Sequence, residues 1–302
     1  MFALVSALSL AFAAAPSPAA PHRVALAQYE IEGRKTLAQV MAKVETLTAS
    51  AAAGGAELMI LPELFVLDVW PKTLEDEPAF VRKVAKEMTP AARARLAALS
   101  RTYGLALLAG SMPELRGGKL YNTAHLYFPD GRDVRQDKMF LTHWGETVGM
   151  VPGEKLETFD TPWGRSAILI CYDVEIPQLS STLVPLRPEV LLVPSMTESE
   201  HGFGRVRWSA QARAVEHHAY VLVVGTVGQP SPDWRHFGQG VGLTPRDKGF
   251  PGTLAAGTKN AAELVFVELD LDRLRASRER VTFYPAKDEL RRRAHPSAAV
   301  AP

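Results

Sequence analysis

From Arg23 onward, short apolar runs alternate with longer stretches in which apolar residues recur every three or four positions. The first pattern suits a buried strand, and the second puts one apolar stripe on a helix. Residues 24–28 read as a first strand, and residues 35–53 as an amphipathic helix stopped by Gly54-Gly55. Residues 58–61 read as a buried strand; Pro62 halts its pairing because it lacks an N–H, which leaves Glu63 just past the strand end. A helix follows at 90–103, ended by Gly104, then strands at 105–109 and 121–128, the latter running into the turn Pro129-Asp130-Gly131. The second half repeats the rhythm. Residues 166–170 form a strand with Cys171-Tyr172-Asp173 at its carboxyl end, and further strands are read at 190–193, 220–224 and 264–269. A helix at 205–217 places Arg213 and Glu216 on one face. Such alternation predicts an α/β sandwich. No low-complexity linker and no fixed-period repeat divides it, so one catalytic domain is expected over 22–285.

The two ends read differently. Residues 2–15 are almost continuously apolar, followed by Pro16-Ser17-Pro18-Ala19-Ala20-Pro21, and Ala11-Phe12-Ala13 offers an A-x-A-like cleavage site. Residues 1–21 are therefore expected to be a signal peptide or a disordered tail, although no Lys or Arg precedes the apolar run. A cleaved segment would place the protein in the periplasm or outside the cell, and an uncleaved one in the cytoplasm. The run is shorter than the roughly 20 residues of a membrane span. Residues 286–302, with Arg291-Arg292-Arg293 and a polar, Ala/Pro-rich end, are expected to be disordered.

Charge narrows the function classes. The chain of 302 residues carries 34 Lys+Arg against 33 Asp+Glu, so it has no strong field for a phosphate backbone or an anionic membrane, and nucleic-acid binding is not expected. Cys171 is the single cysteine, which rules out an internal disulfide and any Cys-rich metal site. Its thiol is either an inert core group or a reactive one.

Glu63, Lys138 and Cys171 each follow or flank a strand or hairpin, and in α/β folds the carboxyl ends of strands meet ligands. Taken singly, they read as a surface acid, a solvated lysine and a small buried hydrophobe. Their surroundings change that. Leu61-Pro62-Glu63, Lys138 with Glu146 eight residues on, and Ile170-Cys171-Tyr172-Asp173 with Pro177 stand in this order, followed by Leu192-Val193-Pro194-Ser195 and Arg213-Ala214-Val215-Glu216. In wording, order and spacing these blocks resemble the nitrilase (carbon-nitrogen hydrolase) superfamily over about residues 23–272.

The resemblance implies a four-layer αββα sandwich of the nitrilase type, homodimeric through an α surface, that hydrolyses a non-peptide C–N bond in a small amide without a cofactor or metal. It implies a triad in which Cys171 is the nucleophile, Glu63 the general base and Lys138, with the backbone N–H of Tyr172, the oxyanion holder. Glu146 would position Lys138. His143, Trp144 and Thr197 are candidate pocket residues. An amide carbonyl is a poor electrophile, so a thiolate is a fitting attacker; a free thiol, ordinarily near pKa 8.5, needs a base beside it. Where many members have an arginine and an aromatic residue after the nucleophile, this chain reads Val174-Glu175-Ile176-Pro177-Gln178, which leaves the substrate class open.

Other readings weigh less. The same triad can attack a nitrile. A Cys–His protease has eight histidines to draw on, none in a favouring local context. Glu216-His217-His218 suggests a metal, but neighbouring helical residues point about 100° apart. Gly202-Phe203-Gly204 lacks the third glycine of a dinucleotide loop. A non-catalytic binding protein on the same scaffold is the remaining alternative. Lipoprotein acyl transfer would need a multi-span membrane region.

Overall fold

The structure, a computed structural model, describes residues 20–294. The signal-peptide reading falls almost wholly on residues 1–19, outside the described residues. Among the described residues, no helix is long and apolar enough to cross a membrane.

Six strands open the chain's first half: β1 (His22–Gln28), β2 (Leu58–Ile60), β3 (Ala106–Leu108), β4 (Met112–Arg116), β5 (Lys119–Tyr127) and β6 (Asp133–Asp137). The second half adds β7 (Phe159–Thr161), β8 (Gly164–Ile168), β9 (Val190–Ser195) and β10 (Tyr220–Gly225). A short ribbon of β11 (Gly228–Ser231) and β12 (Trp234–His236) follows, then β13 (Val241–Asp247), β14 (Phe250–Ala256) and β15 (Glu263–Leu269). They form two mixed sheets, ordered β15-β1-β2-β3-β5-β4, with β6 also on β5, and β14-β13-β10-β9-β8-β7. Each has three parallel strands at its centre, β1-β2-β3 and β10-β9-β8, and antiparallel strands outside them.

Layering follows from the side-chain period of two. In β1, Val24 and Leu26 point into the core shared by both sheets, whereas Ala25 and Ala27 face the opposite side, onto α1 (Leu37–Ala53) and the helices beyond. β2 does the same, with Leu58 and Ile60 inward and Met59 outward. Two further helices complete that outer layer or its edge, α2 (Glu77–Lys83) and α3 (Thr89–Tyr103). A five-residue helix, α4 (His143–Thr147), follows β6. On the second sheet pack α5 (Pro177–Leu183) and α6 (Glu200–His217), whose Val206, Ala210 and Ala214 join the core. The result is the expected αββα arrangement. Helix α1 starts on a capping box, Thr36 accepting from the Gln39 N–H and the Gln39 side chain accepting from the Thr36 N–H.

The C-terminal boundary differs from the sequence reading. After α7 (Leu271–Arg280), residues Pro285–Ala294 form a helix, α8, where disorder was expected from 286. Ala286 and Leu290, four apart, share one face and pack with Val184, Val281 and Tyr284. Glu289 accepts a hydrogen bond from Ser181, and Arg293 reaches both. Tertiary contacts thus order a segment whose composition alone looked polar. Arg213 and Glu216 do pair, at 2.7 Å. His217 and His218 each meet a different serine, Ser180 and Ser277, so they serve two separate contacts.

A buried charge network on β4, β5 and β6 gives the fold a pH signature. His125 stands between Glu114 (2.8 Å) and Asp133 (3.0 Å). Burial disfavours the imidazolium, but its bonds to Asp133 and Glu114 outweigh that and hold its pKa above the ordinary 6.5. For Glu114, burial is likewise overcome, by His125 and Arg116, and its pKa falls to about 2. The raised histidine stabilises fully below pH 6.5 and loses its contribution as pH rises through its folded pKa. The lowered glutamate stabilises above pH 4.5, its ordinary value, and loses that as pH falls towards 2. The network therefore contributes most between these limits. Thermal midpoints of His125→Gln should fall less between pH 6 and pH 8 than those of the unaltered protein; parallel curves would show that His125 is neutral in the fold.

Candidate active site

Three strand ends converge at one end of the sandwich. Glu63 lies three residues past β2, Lys138 directly follows β6, and Cys171 lies three residues past β8, at the first position of a 3₁₀ turn, Cys171–Glu175. All three line one cavity of about 540 Å³, although Glu63 and Lys138 alone stand 75 residues apart in sequence. Glu63 Oε1 accepts from Lys138 Nζ at 2.6 Å and from Asn122 Nδ2 at 2.8 Å, and Oε2 accepts from the Met196 N–H at 3.1 Å. The Cys171 thiol lies against Ser195, the last residue of β9, and Met196 just after it: Ser195 Oγ donates to Sγ at 3.2 Å, and Sγ lies 3.6 Å from the Met196 carbonyl.

Backbone geometry presents these groups. Cys171 adopts φ +50°, a left-handed conformation that costs a non-glycine residue about 1–3 kcal/mol and marks a position held by its surroundings. Asp173 does much of that holding. Its buried carboxylate accepts from the N–H groups of Ile170 (3.1 Å), Met139 (3.1 Å) and Phe140 (2.8 Å), tying the Cys171 turn to the loop after Lys138. On the other side, Gly110 packs on the Pro62-Glu63 backbone: a Cβ there would stand 1.8 Å from the Pro62 carbonyl oxygen, and Gly110 itself has φ +50°. Gly110→Ala should therefore cost about 2–4 kcal/mol and shift Glu63 away from its partners. A chemical-denaturation midpoint equal to that of the unaltered protein would contradict this.

Charge states follow from burial. The Cys171 thiol is pushed up to about 12, first by burial and then by Glu63, against the opposing pull of Lys138, Ser195 and Met196. It is a neutral thiol at rest. Burial works against the Lys138 ammonium, but Glu63, Cys171 and Asp173 together raise its pKa, so it stays charged. Burial likewise raises Asp173, to about 6, opposed by Lys138 and by the three backbone donors. A resting thiol beside a carboxylate can yield a thiolate only by handing over its proton during attack.

Tyr172, Trp144 and Thr197 line the cavity, as expected from the sequence. Glu146 and His143 do not: both are exposed and stand outside the lining. In α4, positions 143, 146 and 147 share the outward face, whereas 144, 145 and 148 turn inward. The support expected of Glu146 falls in this structure to Asn122 and Asp173. Neither was named from the sequence as a site residue; Asp173 lay inside the Cys171 block, and Asn122 was a polar residue within the strand read at 121–128. Asn122 is 2% exposed and must present Nδ2 to Glu63, because a carboxylate oxygen accepts. Its Oδ1 has no partner among the described residues.

Comparison with known proteins agrees with this architecture. Residues 23–279 match the family model described as Carbon-nitrogen hydrolase, and the chain belongs to that family. It is 29% identical over 278 residues to "Probable hydrolase YhcX" of Bacillus subtilis (strain 168), covering 90% of this chain and 54% of that protein, so it spans about half that relative's length. It is 26% identical over 275 residues to "Omega-amidase NIT2" of Homo sapiens, covering 88% of this chain and 94% of the relative. Among solved structures, an amidase from Nesterenkonia sp. superposes with a TM-score of 0.71 at 25% identity, covering 91% of this chain and 97% of the other. This is an amidase-like hydrolase family, and its fold is the nitrilase superfamily's α/β sandwich.

Proposed function

We propose that this chain hydrolyses the C–N bond of a small linear amide through a thioester on Cys171. One observation carries the reading: a carboxylate, an ammonium and a thiol from three different strand ends line one cavity, with the carboxylate and ammonium in direct contact at 2.6 Å. Glu63 takes the Sγ–H proton as sulfur attacks the carbonyl carbon. The carbonyl π electrons move to oxygen, and the oxyanion is held by Lys138 and the Tyr172 N–H, each donor worth a few kcal/mol in such a role. When the tetrahedral centre collapses, the C–N bond breaks and the proton on Glu63 goes to the departing amine or ammonia. A water then gives its proton to Glu63 and attacks the thioester; the C–S bond breaks, and the proton returns to sulfur. The acid product leaves with the thiol restored.

The test is intact-mass spectrometry of Glu63→Gln incubated with short amides, ureido acids and nitriles. Glutamine can take neither the thiol proton nor the water proton, so acylation should be slow and deacylation slower still, and over long incubation an acyl adduct on Cys171 should build up from the amide class. An adduct from nitriles alone would move the activity to nitrile hydrolysis. Undiminished turnover by Glu63→Gln would remove Glu63 as the base.

A further inference from the structure

Beyond the catalytic groups, the cavity has an unusual wall. Trp70, Trp144 and Trp234 line it, with the Trp70 and Trp234 rings 5.3 Å apart and tilted by 52°. Two of these indoles are hydrogen-bonded to carboxylates that also line the cavity: Trp234 Nε1 donates to Glu198 at 2.5 Å, and Trp144 Nε1 donates to Glu77 at 3.1 Å. Glu175, also in the lining, is satisfied by Arg205 at 3.0 Å. Among the described residues, the hydrogen-bond partner of the Glu198 carboxylate is the Trp234 indole, and none of the ion pairs includes it. Glu198 is exposed to solvent by surface area, yet its carboxyl is crowded by protein atoms. Burial is the first cause of its carboxyl standing above the usual range, and the charges that bear on it are Glu77 and Glu63, both acids. Arg34 and Lys72 also line the cavity and are exposed to solvent; Asp233 adds another acid.

Glu198 is tethered close to the chemistry. It lies two residues from Met196, whose N–H holds Glu63 and whose carbonyl faces Sγ. Consecutive Cα atoms are about 3.8 Å apart, so the two Cα atoms are within about 7 Å of each other. The catalytic groups and the anionic, indole-walled group of Glu198, Trp70 and Trp234 therefore line one cavity. Aromatic faces and a carboxylate together recognise ammonium groups.

Resting on the amidase reading above, we propose that the cavity selects short amides bearing a cationic amine, with Glu198 as the counter-charge and Trp70 and Trp234 as its aromatic walls. In this role Glu198 is a specificity residue and takes no part in the proton transfers.

The experiment compares kcat/KM for butyramide, 4-aminobutyramide and succinamate, which match in length and differ in charge. The cationic amide should lead the neutral one by at least about tenfold, with succinamate slowest, and Glu198→Gln should cut the cationic-to-neutral ratio by about tenfold, chiefly through KM. Preference for succinamate, or an unchanged ratio in Glu198→Gln, would overturn the proposal while leaving the amidase reading intact. If none of the three is hydrolysed, the amidase reading is what fails. Thermal shifts then decide the charge preference by themselves: n-butylammonium should raise the Tm, sodium butyrate should not, and Glu198→Gln should abolish the difference. Equal shifts from both ions would overturn it.

Discussion

Cys171→Ala should lower amide turnover by at least about 10⁴-fold while leaving the protein folded. The fold is spared because the side chain loses a single sulfur atom, in a pocket where Ser195 and Met196 are its polar neighbours. The expected cost is on the order of 1 kcal/mol, since the cavity left is small. Turnover is lost because Cys171 is the single cysteine of the chain, so the variant has no thiol to form the thioester. Ser195 is buried and donates its own hydroxyl proton to sulfur, so it is aimed at the Cys171 atom rather than into the cavity. The measurement is a steady-state rate alongside circular dichroism and the thermal midpoint. A folded variant that keeps activity within tenfold of the unaltered enzyme would sink the thioester mechanism.

Lys138→Met should be the variant most damaging to rate and stability together. It leaves the Glu63 carboxylate, 3% exposed, with the Asn122 and Met196 donors but without its counter-charge. Removing one partner of a buried ion pair typically costs about 3–5 kcal/mol, because the remaining charge keeps its desolvation penalty. In addition, Asp173 loses the positive charge that opposes the effect of its burial. The rate should fall by at least about 10²–10³-fold through loss of an oxyanion donor. Lys138→Arg should rescue stability only in part, because a planar guanidinium does not fit a site shaped for a compact ammonium. Denaturant titration and kcat on the same preparations separate the two effects. A Lys138→Met variant as stable as the unaltered protein would show that Glu63 needs no counter-charge.

Much of the scaffold was legible in the residue pattern. Val24-Ala25-Leu26-Ala27 and Leu58-Met59-Ile60 are strands buried on both faces, and α1 ends where Gly54-Gly55 predicts. Other elements left weaker marks. Strands β11 to β14 are rich in Pro, Gly and Arg and lack the apolar run of a buried strand; each pairs in a hairpin, β11 with β12 and β13 with β14. Helix α8 looked like a tail because its stabilising surface belongs to Val184 and Ser181, about a hundred residues away.

The sequence by itself determined where the reactive atoms stand. Short-range patterning sets the strands that Glu63 and Cys171 follow, whereas the grouping of Lys138 with them was implied by the resemblance of the three blocks to a known family. Tertiary structure alone decided how they are held and charged. Asn122 meets Glu63 across 59 residues and the Met196 amide meets it across 133, while Asp173 bridges two loops 34 residues apart. None of these contacts has a local signature. The turn of α4 that sends Glu146 to solvent and Trp144 to the cavity was likewise invisible, since both faces of a five-residue helix look alike in sequence. Burial completed the site: a thiol and an ammonium take the protonation states of their enclosure, and enclosure is a property of the whole packed chain.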